Sequence, residues 1–276
     1  MPDNAKLLRD LHHAPGILVL PNAWDAISAR LFEAEGFPAI ATTSAGVANA
    51  LGYPDGGVVP AREMIEAVAR ITRAVTVPVT ADFEHAYGTT PTAVADNVMR
   101  VIAAGAVGIN LEDCMPGATD LEPLALQADK IATIVKAAQT AGVRVVINAR
   151  TDVFLRGFGA PETRLGVAID RGKAFLAAGA DCVFVPGVRD RDTISALVQG
   201  IGGPVNILAT QGTPSIADLH ALGVKRVSVG SGPHRATLAV TRDIARELKA
   251  KGTYDSFTAH AMTYDDANAL LKRADQ

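Results

Sequence analysis

The sequence predicts an α/β fold of the (β/α)8, or TIM-barrel, class. Three observations point there: a recurring helix–glycine–strand phrase, eight short apolar runs, and no Gly-x-Gly-x-x-Gly turn after the first of them, which disfavours an open doubly wound sheet. The phrase is an Ala-rich helical end, a glycine and a β-branched run, as in "FEAEGFPAIATT", "IAAGAVGINLED", "AQTAGVRVVINAR", "LAAGADCVFVPG" and "HALGVKRVSVGSG". Its glycines, Gly36, Gly105, Gly142, Gly179 and Gly223, stand where a helix must stop. From Gly105 to Gly142 and on to Gly179 the spacing is 37 residues, one strand–helix unit.

In chain order the strand candidates are 17–20, 38–42, 77–82, 107–111, 144–149, 181–185, 204–208 and 226–229. They are apolar nearly throughout, as parallel strands covered on both faces should be. Helical patterns separate them, for instance 61–74 and 91–104, the latter with Pro91 at its start. The segment from about 253, "YDSFTAHAMTYDDANALLKRADQ", reads as a helical extension that packs on the barrel or on a neighbouring subunit. The expectation is one domain over residues 1–276.

Composition narrows the class. The chain has 276 residues, 49% hydrophobic and 20% charged, with a net charge of -3 and no basic run, so nucleic acid is not an expected partner. No apolar run approaches the roughly 20 residues that span a bilayer. The N-terminus is polar and has no signal-peptide pattern, and Cys114 and Cys182 are too few for a disulfide framework. A cytoplasmic protein is expected.

Barrel chemistry gathers at the C-terminal ends of strands. There the second run leads into "TTSAGVANALGYPDG", ending near Asp55. The third ends in Asp82 and Glu84, the fourth in Glu112 and Asp113, and the fifth in "NARTD", with Asn148, Arg150 and Asp152. Period-two alternation puts Asp82 and Glu84 on one face, and separates Glu112 from Asp113. Each has a bland alternative: Asp113 as a cap, Asp152 paired with Arg156, Arg150 as a structural counter-ion. Carboxylates with few thiols or imidazoles nearby favour a hard octahedral cation, Mg2+ or alternatively Mn2+. Arg150 suits an anionic carboxylate substrate, and Thr43, Ser44 and Ala45 offer amides and hydroxyls for one.

At "TTSAGVANALGYPDG", "ADFEHAYG", "GINLEDC" and "INARTDVF" the sequence resembles the isocitrate lyase/phosphoenolpyruvate mutase superfamily, over nearly the whole chain. The resemblance implies a barrel whose last helix is exchanged between subunits in a dimer of dimers. It also implies Mg2+ stabilising an enolate of a 2-oxo or 2-hydroxy acid. Carried across, Asp55, Asp82, Glu84 and Glu112 form the metal-organising set, with Asp82 the direct ligand and the others acting mainly through water. Thr43, Ser44, Ala45 and Arg150 hold the substrate carboxylate and its neighbouring oxygen. From the residues alone, Asn148 on the face of Arg150 and His234 after the eighth strand are further substrate-binding candidates. Many relatives have aspartate at the position of Glu84, so a slightly tighter site is expected. The Lys-Lys-Cys-Gly-His loop of the isocitrate and methylisocitrate lyases is missing; "LEDCMPGATDLEPL" stands there, and Cys114 is not the loop cysteine. The Lys-Thr-Asn type loop of C–P bond enzymes is missing too.

What remains is a carbon–carbon lyase acting on a small 2-oxo or 2-hydroxy dicarboxylic acid through an enolate. Asp55, Glu112 and Arg150 are the catalytic candidates. The base could be Glu112, His85 or a metal-bound water; His234 could reach the mouth or only cap the following helix. An oxaloacetate-type decarboxylase is the runner-up, ahead of C–P bond chemistry or a non-catalytic anion-binding barrel. A Schiff-base aldolase is disfavoured because Lys225 lies at the wrong strand end and Lys136 and Lys173 fall on helices.

Overall fold

The computed structural model describes residues 3–272. The strands are β1 (Leu18–Leu20), β2 (Asn22–Ala23), β3 (Ile40–Thr42), β4 (Val79–Asp82), β5 (Gly108–Glu112), β6 (Val146–Arg150), β7 (Cys182–Phe184), β8 (Val205–Leu208) and β9 (Arg226–Ser228). They form one parallel sheet in the order β1-β9-β8-β7-β6-β5-β4-β3-β2. β1 pairs with β9 and β2 with β3, and only Pro21 lies between them. Together they act as one barrel strand: Pro21 has no N–H to donate, but its carbonyl accepts from Ala41 N at 2.9 Å. The eight expected strands are therefore all present, and the added β2 closes the ring. Asn22 bridges the closure, donating to Thr42 O at 2.7 Å and accepting from the amides of Val229 and Gly230 at 2.8 Å each.

Among the described residues, twelve α-helices and one 3-10 turn (Pro161–Thr163) accompany the sheet. α1 (Asn4–His13) seats buried Leu8 among Leu18, Leu20, Ala41 and Val146. α2 (Ala26–Ala34) and the short α3 (Ser44–Ala50) precede α4 (Ala61–Ala74), which turns Met64, Val68 and Ile71 inward at helical spacing. α5 (Pro91–Ala103), α6 (Leu124–Thr140), α7 (Arg164–Ala177), α8 (Arg191–Ile201) and α9 (Ile216–Ala221) follow β4 to β8 in turn. The five glycines of the repeated phrase all have positive φ. At Gly105 a side chain would also meet Thr72, with a Cβ only 2.8 Å from its Oγ1.

The chain after β9 departs from the repeat. α10 (Gly232–Lys251) buries only His234, leaving Leu238, Val240 and Leu248 about half exposed. α11 (Asp255–Thr258) and α12 (Tyr264–Leu271) follow. α12 returns to the barrel against α2, where Arg30 Nε donates to Leu270 O at 2.5 Å. Residues 273–276 of the expected extension lie outside the described residues.

Asp113 ties three segments together. Its carboxylate accepts from Asp152 N at 2.9 Å and from Arg171 Nε at 2.6 Å, while Arg171 Nη2 donates to Glu122 O at 2.9 Å. Asp113 thus anchors the loop after β5 to β6 and α7. Both charges are almost wholly buried, so deleting one strands the other. Arg171→Met should cost about 3–5 kcal/mol in urea-induced unfolding. A loss below about 1 kcal/mol would mean the pair is not a structural tie.

Candidate active site

The acids meet where predicted, but not wholly for the predicted reason. β4 ends at Asp82. Glu84 therefore does not take its direction from strand alternation. It lies in a turn where Glu84, Ala86 and Tyr87 have φ of 51°, 55° and 53°, the only non-glycine left-handed residues among those described. Such residues cost roughly 1–2 kcal/mol each and persist only where surrounding contacts over-determine them. Here Phe83 and Ala86 are fully buried, and Asn97 Nδ2 donates to the carbonyls of Ala86 and Tyr87 at 3.0 and 3.1 Å. Glu112 N donates to Glu84 O at 2.9 Å, and the Tyr87 hydroxyl donates to the Glu84 carboxylate.

Asp82 is fixed by three donors. Ser44 N and Oγ reach its Oδ2 at 2.9 and 2.8 Å, and Asn110 Nδ2 reaches its Oδ1 at 3.0 Å. Asn110 Oδ1 in turn accepts from Asn148 Nδ2 at 2.7 Å and from Arg226 Nη2 at 3.4 Å. Arg226 is fully buried, and its Nη1 lies 3.5 Å from His12 Nε2 at the foot of the barrel. Burial brings His12 down to about 3, with Arg226 adding to it, so the neutral ring donates through Nδ1 to Leu8 O and turns its lone pair to Arg226. A polar column therefore runs from α1 up to Asp82.

Arg150 sits among the other acids. Its Nη1 donates to Glu112 at 2.6 Å, while Nε and Nη2 grip both oxygens of Asp152 at 2.6 and 3.1 Å. The guanidinium also lies over the Phe184 ring, 5.8 Å from its centroid. Three of its five N–H groups are thereby used, leaving two.

The charge balance is strained. Burial raises Glu84 to about 7, with Asp82 and Asp55 pushing the same way against the Tyr87 hydrogen bond. Burial also lifts Glu112, with Asp152, Asp82 and Glu84 adding to it and Arg150 opposing, and it lifts Asp55, with Asp82 adding. Burial lowers His85, so its imidazole is neutral near pH 7. It raises Cys114, which stays a thiol.

A cavity of about 140 Å³ opens here. Of the predicted site residues, Ser44, Asp55, Glu84, Glu112 and Arg150 line it, with His85 and Cys114. Asp82 is held just behind Ser44. Thr43 caps α3, accepting from Gly46 N, and neither it nor Ala45 lines the cavity. Asn148 is fully buried one layer below, where its Oδ1 has no partner, and it does not line the cavity. His234 is buried against Trp24, ring centroids 5.2 Å apart, and neither lines the cavity nor caps α10. Asp152 pairs with Arg150 rather than Arg156. Lys225 donates to Ala14 O at the opposite end, away from any Schiff-base position.

Asn110 and Tyr87 were missed. Alternation along "GINLE" puts Asn110 on the face of Glu112, so the signal for it was present; nothing local marked Tyr87 or Arg226. Among the described residues, no three His, Cys, Asp or Glu side chains stand close enough to hold a metal by themselves, and no helix is long and apolar enough to cross a membrane. The donor set fits Mg2+, which is bound by one or two carboxylates and keeps several waters, better than Zn2+.

The family model described as phosphoenolpyruvate phosphomutase matches residues 8–249. An uncharacterized protein of Mycobacterium tuberculosis is 41% identical over 239 residues, 87% of each chain. The oxaloacetate decarboxylase of Bradyrhizobium sp. (strain BTAi1) is 33% identical over 239 residues, 83% of this chain and 78% of that one. The crystal structure of a 2,3-dimethylmalate lyase superposes with a TM-score of 0.85 at 26% identity, covering 99% of this chain and 96% of that one.

A carboxyl raised on folding stabilises the fold below its unfolded value and loses that contribution as pH rises through its folded value. For Glu84 this window runs from the ordinary 4.5 to about 7. Metal-free protein should therefore lose on the order of 1–3 kcal/mol across it. Mg2+ should flatten the slope and Glu84→Gln remove it, both read from urea unfolding at stepped pH. An unchanged slope in Glu84→Gln would show that another group carries it.

Proposed function

The chain belongs to the phosphoenolpyruvate phosphomutase family, within the isocitrate lyase/phosphoenolpyruvate mutase superfamily, and from that footing we propose a Mg2+-dependent carbon–carbon lyase. Its substrate is a small 2-oxo or 2-hydroxy dicarboxylic acid, and it works through an enolate to release a 2-oxo acid. The observation that carries this reading is the group of four carboxylates, three of them raised, around a cavity that also holds Arg150. An all-oxygen acidic group of this kind is built for a hard cation and an oxyanion, not for a phosphate alone.

Asp82 would hold Mg2+ directly, with Asp55, Glu84 and Glu112 organising its waters. Bound there, Mg2+ supplies a Lewis acid and an electrostatic sink for charge developing on oxygen. The two free N–H groups of Arg150 take the substrate carboxylate beside the reacting carbon. Ser44 keeps Asp82 in place. Neutral His85, or Glu112, removes the hydroxyl proton of a 2-hydroxy acid. As that oxygen becomes a carbonyl, the carbon–carbon bond breaks and its electron pair leaves as the enolate of the other fragment, which is then protonated. The Cys114 thiol lines the same cavity with its proton retained. It stands where no Lys-Lys-Cys-Gly-His loop is present.

A second reading is favoured by the decarboxylase relative: loss of carbon dioxide from oxaloacetate, then protonation of the pyruvate enolate. It uses the same electron sink and needs no hydroxyl deprotonation.

The exposed apolar residues of α10 support a homo-oligomer in which this helix packs on a second copy. Light scattering should give the mass of a dimer or tetramer, and Leu238→Lys with Val240→Lys should reduce it. A monomeric wild type would end that part of the proposal.

The activity is tested by proton NMR time courses with Mg2+ and a panel of diacids including oxaloacetate and 2,3-dimethylmalate. EDTA should abolish turnover, and Asp82→Ala should lower it by at least about 10²–10³-fold. Turnover that survives both treatments would remove the metal from the mechanism.

A further inference from the structure

The cavity is lined by a second guanidinium that this mechanism leaves unused. We propose that Arg156 determines specificity by gripping the distal carboxylate of the diacid, and that it favours carbon–carbon cleavage over decarboxylation. This rests on the lyase reading above and sharpens it.

The two arginines of the cavity differ in commitment. Arg150 is saturated on one side by Glu112 and Asp152. The guanidinium of Arg156 forms no ion pair or hydrogen bond among the described residues, although several carboxylates line the same cavity. Its backbone, by contrast, is firmly placed. Arg156 N donates to Asp152 O at 2.9 Å, and Gly157 N to Phe154 O at 3.2 Å. Arg164 holds the next three carbonyls, those of Gly157, Phe158 and Gly159, at 2.7, 3.2 and 3.1 Å. On the other side Gly187 approaches so closely that a Cβ there would lie 2.8 Å from Leu155 N. Because Asp152 both clamps Arg150 and accepts from Arg156 N, the two basic residues share one anchor. The charge reaches inward as well: Arg156 is the largest influence opposing burial at the Cys114 thiol.

An exposed guanidinium in water contributes little by itself. A dianion entering a small cavity walled by carboxylates changes that, because the ligand displaces water and needs a counter-charge at each end. Arg150 answers the carboxylate beside the reacting carbon, and Arg156 at the rim answers the other. A cavity of about 140 Å³ limits the diacid to a short one.

The position of this charge separates the two reactions. In cleavage of a 2-hydroxy diacid, the hydroxyl proton goes to the base and the C2–C3 pair moves to C3. There it spreads onto the distal carboxylate as an ene-diolate before C3 is protonated. Negative charge on the group facing Arg156 grows, so the contact strengthens in the transition state. In oxaloacetate decarboxylation the C3–C4 bond breaks and the distal carboxylate leaves as neutral carbon dioxide. Its pair moves through C3 to the 2-oxo oxygen. The contact weakens along that path and holds back the ground state.

Arg156→Gln and Arg156→Lys, compared with wild type in Mg2+, test this by kinetics and by calorimetric binding of oxalate and of malate. Oxalate is too short to reach the rim; malate is not. The glutamine variant should bind malate about 10-fold more weakly and leave oxalate unchanged. Its kcat should fall for 2-hydroxy diacid cleavage and hold or rise for oxaloacetate decarboxylation, with lysine restoring part of the loss. Equal weakening of both ligands, no weakening of malate, or parallel changes in the two kcat values would overturn the assignment. Wild type that binds oxalate with Mg2+ while any of these occurs leaves the lyase reading standing and removes Arg156 alone. Wild type that binds neither acid overturns both.

Discussion

Carboxylates brought to the ends of neighbouring parallel strands repel one another in surroundings too dry to screen them, and Arg150 makes that arrangement tolerable. It bridges Glu112 at the end of β5 and Asp152 just beyond β6, so the same contacts neutralise charge and lock two strand ends together. Asp152 is held in turn from below, because its amide donates to Asp113 and Asp113 is anchored by Arg171 on α7. The geometry of the mouth therefore follows from a buried network continuous with the helical layer. One guanidinium does not balance the remaining acids: burial raises Asp55, Glu84 and Glu112, and their neighbouring carboxylates add to it.

The turn after β4 stores a second imbalance. Three left-handed residues in four would unwind in isolation. Burial of Phe83 and Ala86, together with the two hydrogen bonds from Asn97, holds the backbone in that form and turns Glu84 toward Asp82. Strain, desolvation and like-charge repulsion thus converge on four residues beside the cavity. Sites where several costs coincide are where binding or catalysis offsets them.

The barrel was legible because its signals are local. A glycine that ends a helix and a β-branched run after it are readable without tertiary context, and each of the eight runs overlaps a strand. The added β2 escaped notice because only pairing across the closed ring distinguishes it from a continuation of β1. In the site, period two served well along β5 and β6, which are regular to Glu112 and Arg150. It does not apply at Glu84, where the strand has already ended and a turn brings the carboxyl beside Asp82. Nor does it convey depth at Asn148, which shares the face of Arg150 but lies a layer below the cavity. Arg226 and His12 could not be foreseen: their meeting depends on α1 covering the foot of the barrel, a contact between residues more than 200 apart in sequence.

That column explains why the acids do not all behave alike. Asp82 receives three donors and stands above Asn110 and the buried Arg226, whereas burial and the neighbouring Asp82 and Asp55 raise Glu84 despite its hydrogen bonds from Tyr87 and the Gly57 amide. One group is oriented from beneath by fixed dipoles and a distant cation; the other is pushed toward the proton-bound form. Two neighbouring carboxylates with environments this different are suited to different tasks, one to hold a cation in place and the other to exchange protons or water beside it. A purely structural cluster would have no need of that division, since pairing each acid with its own base would stabilise the barrel end at lower electrostatic cost.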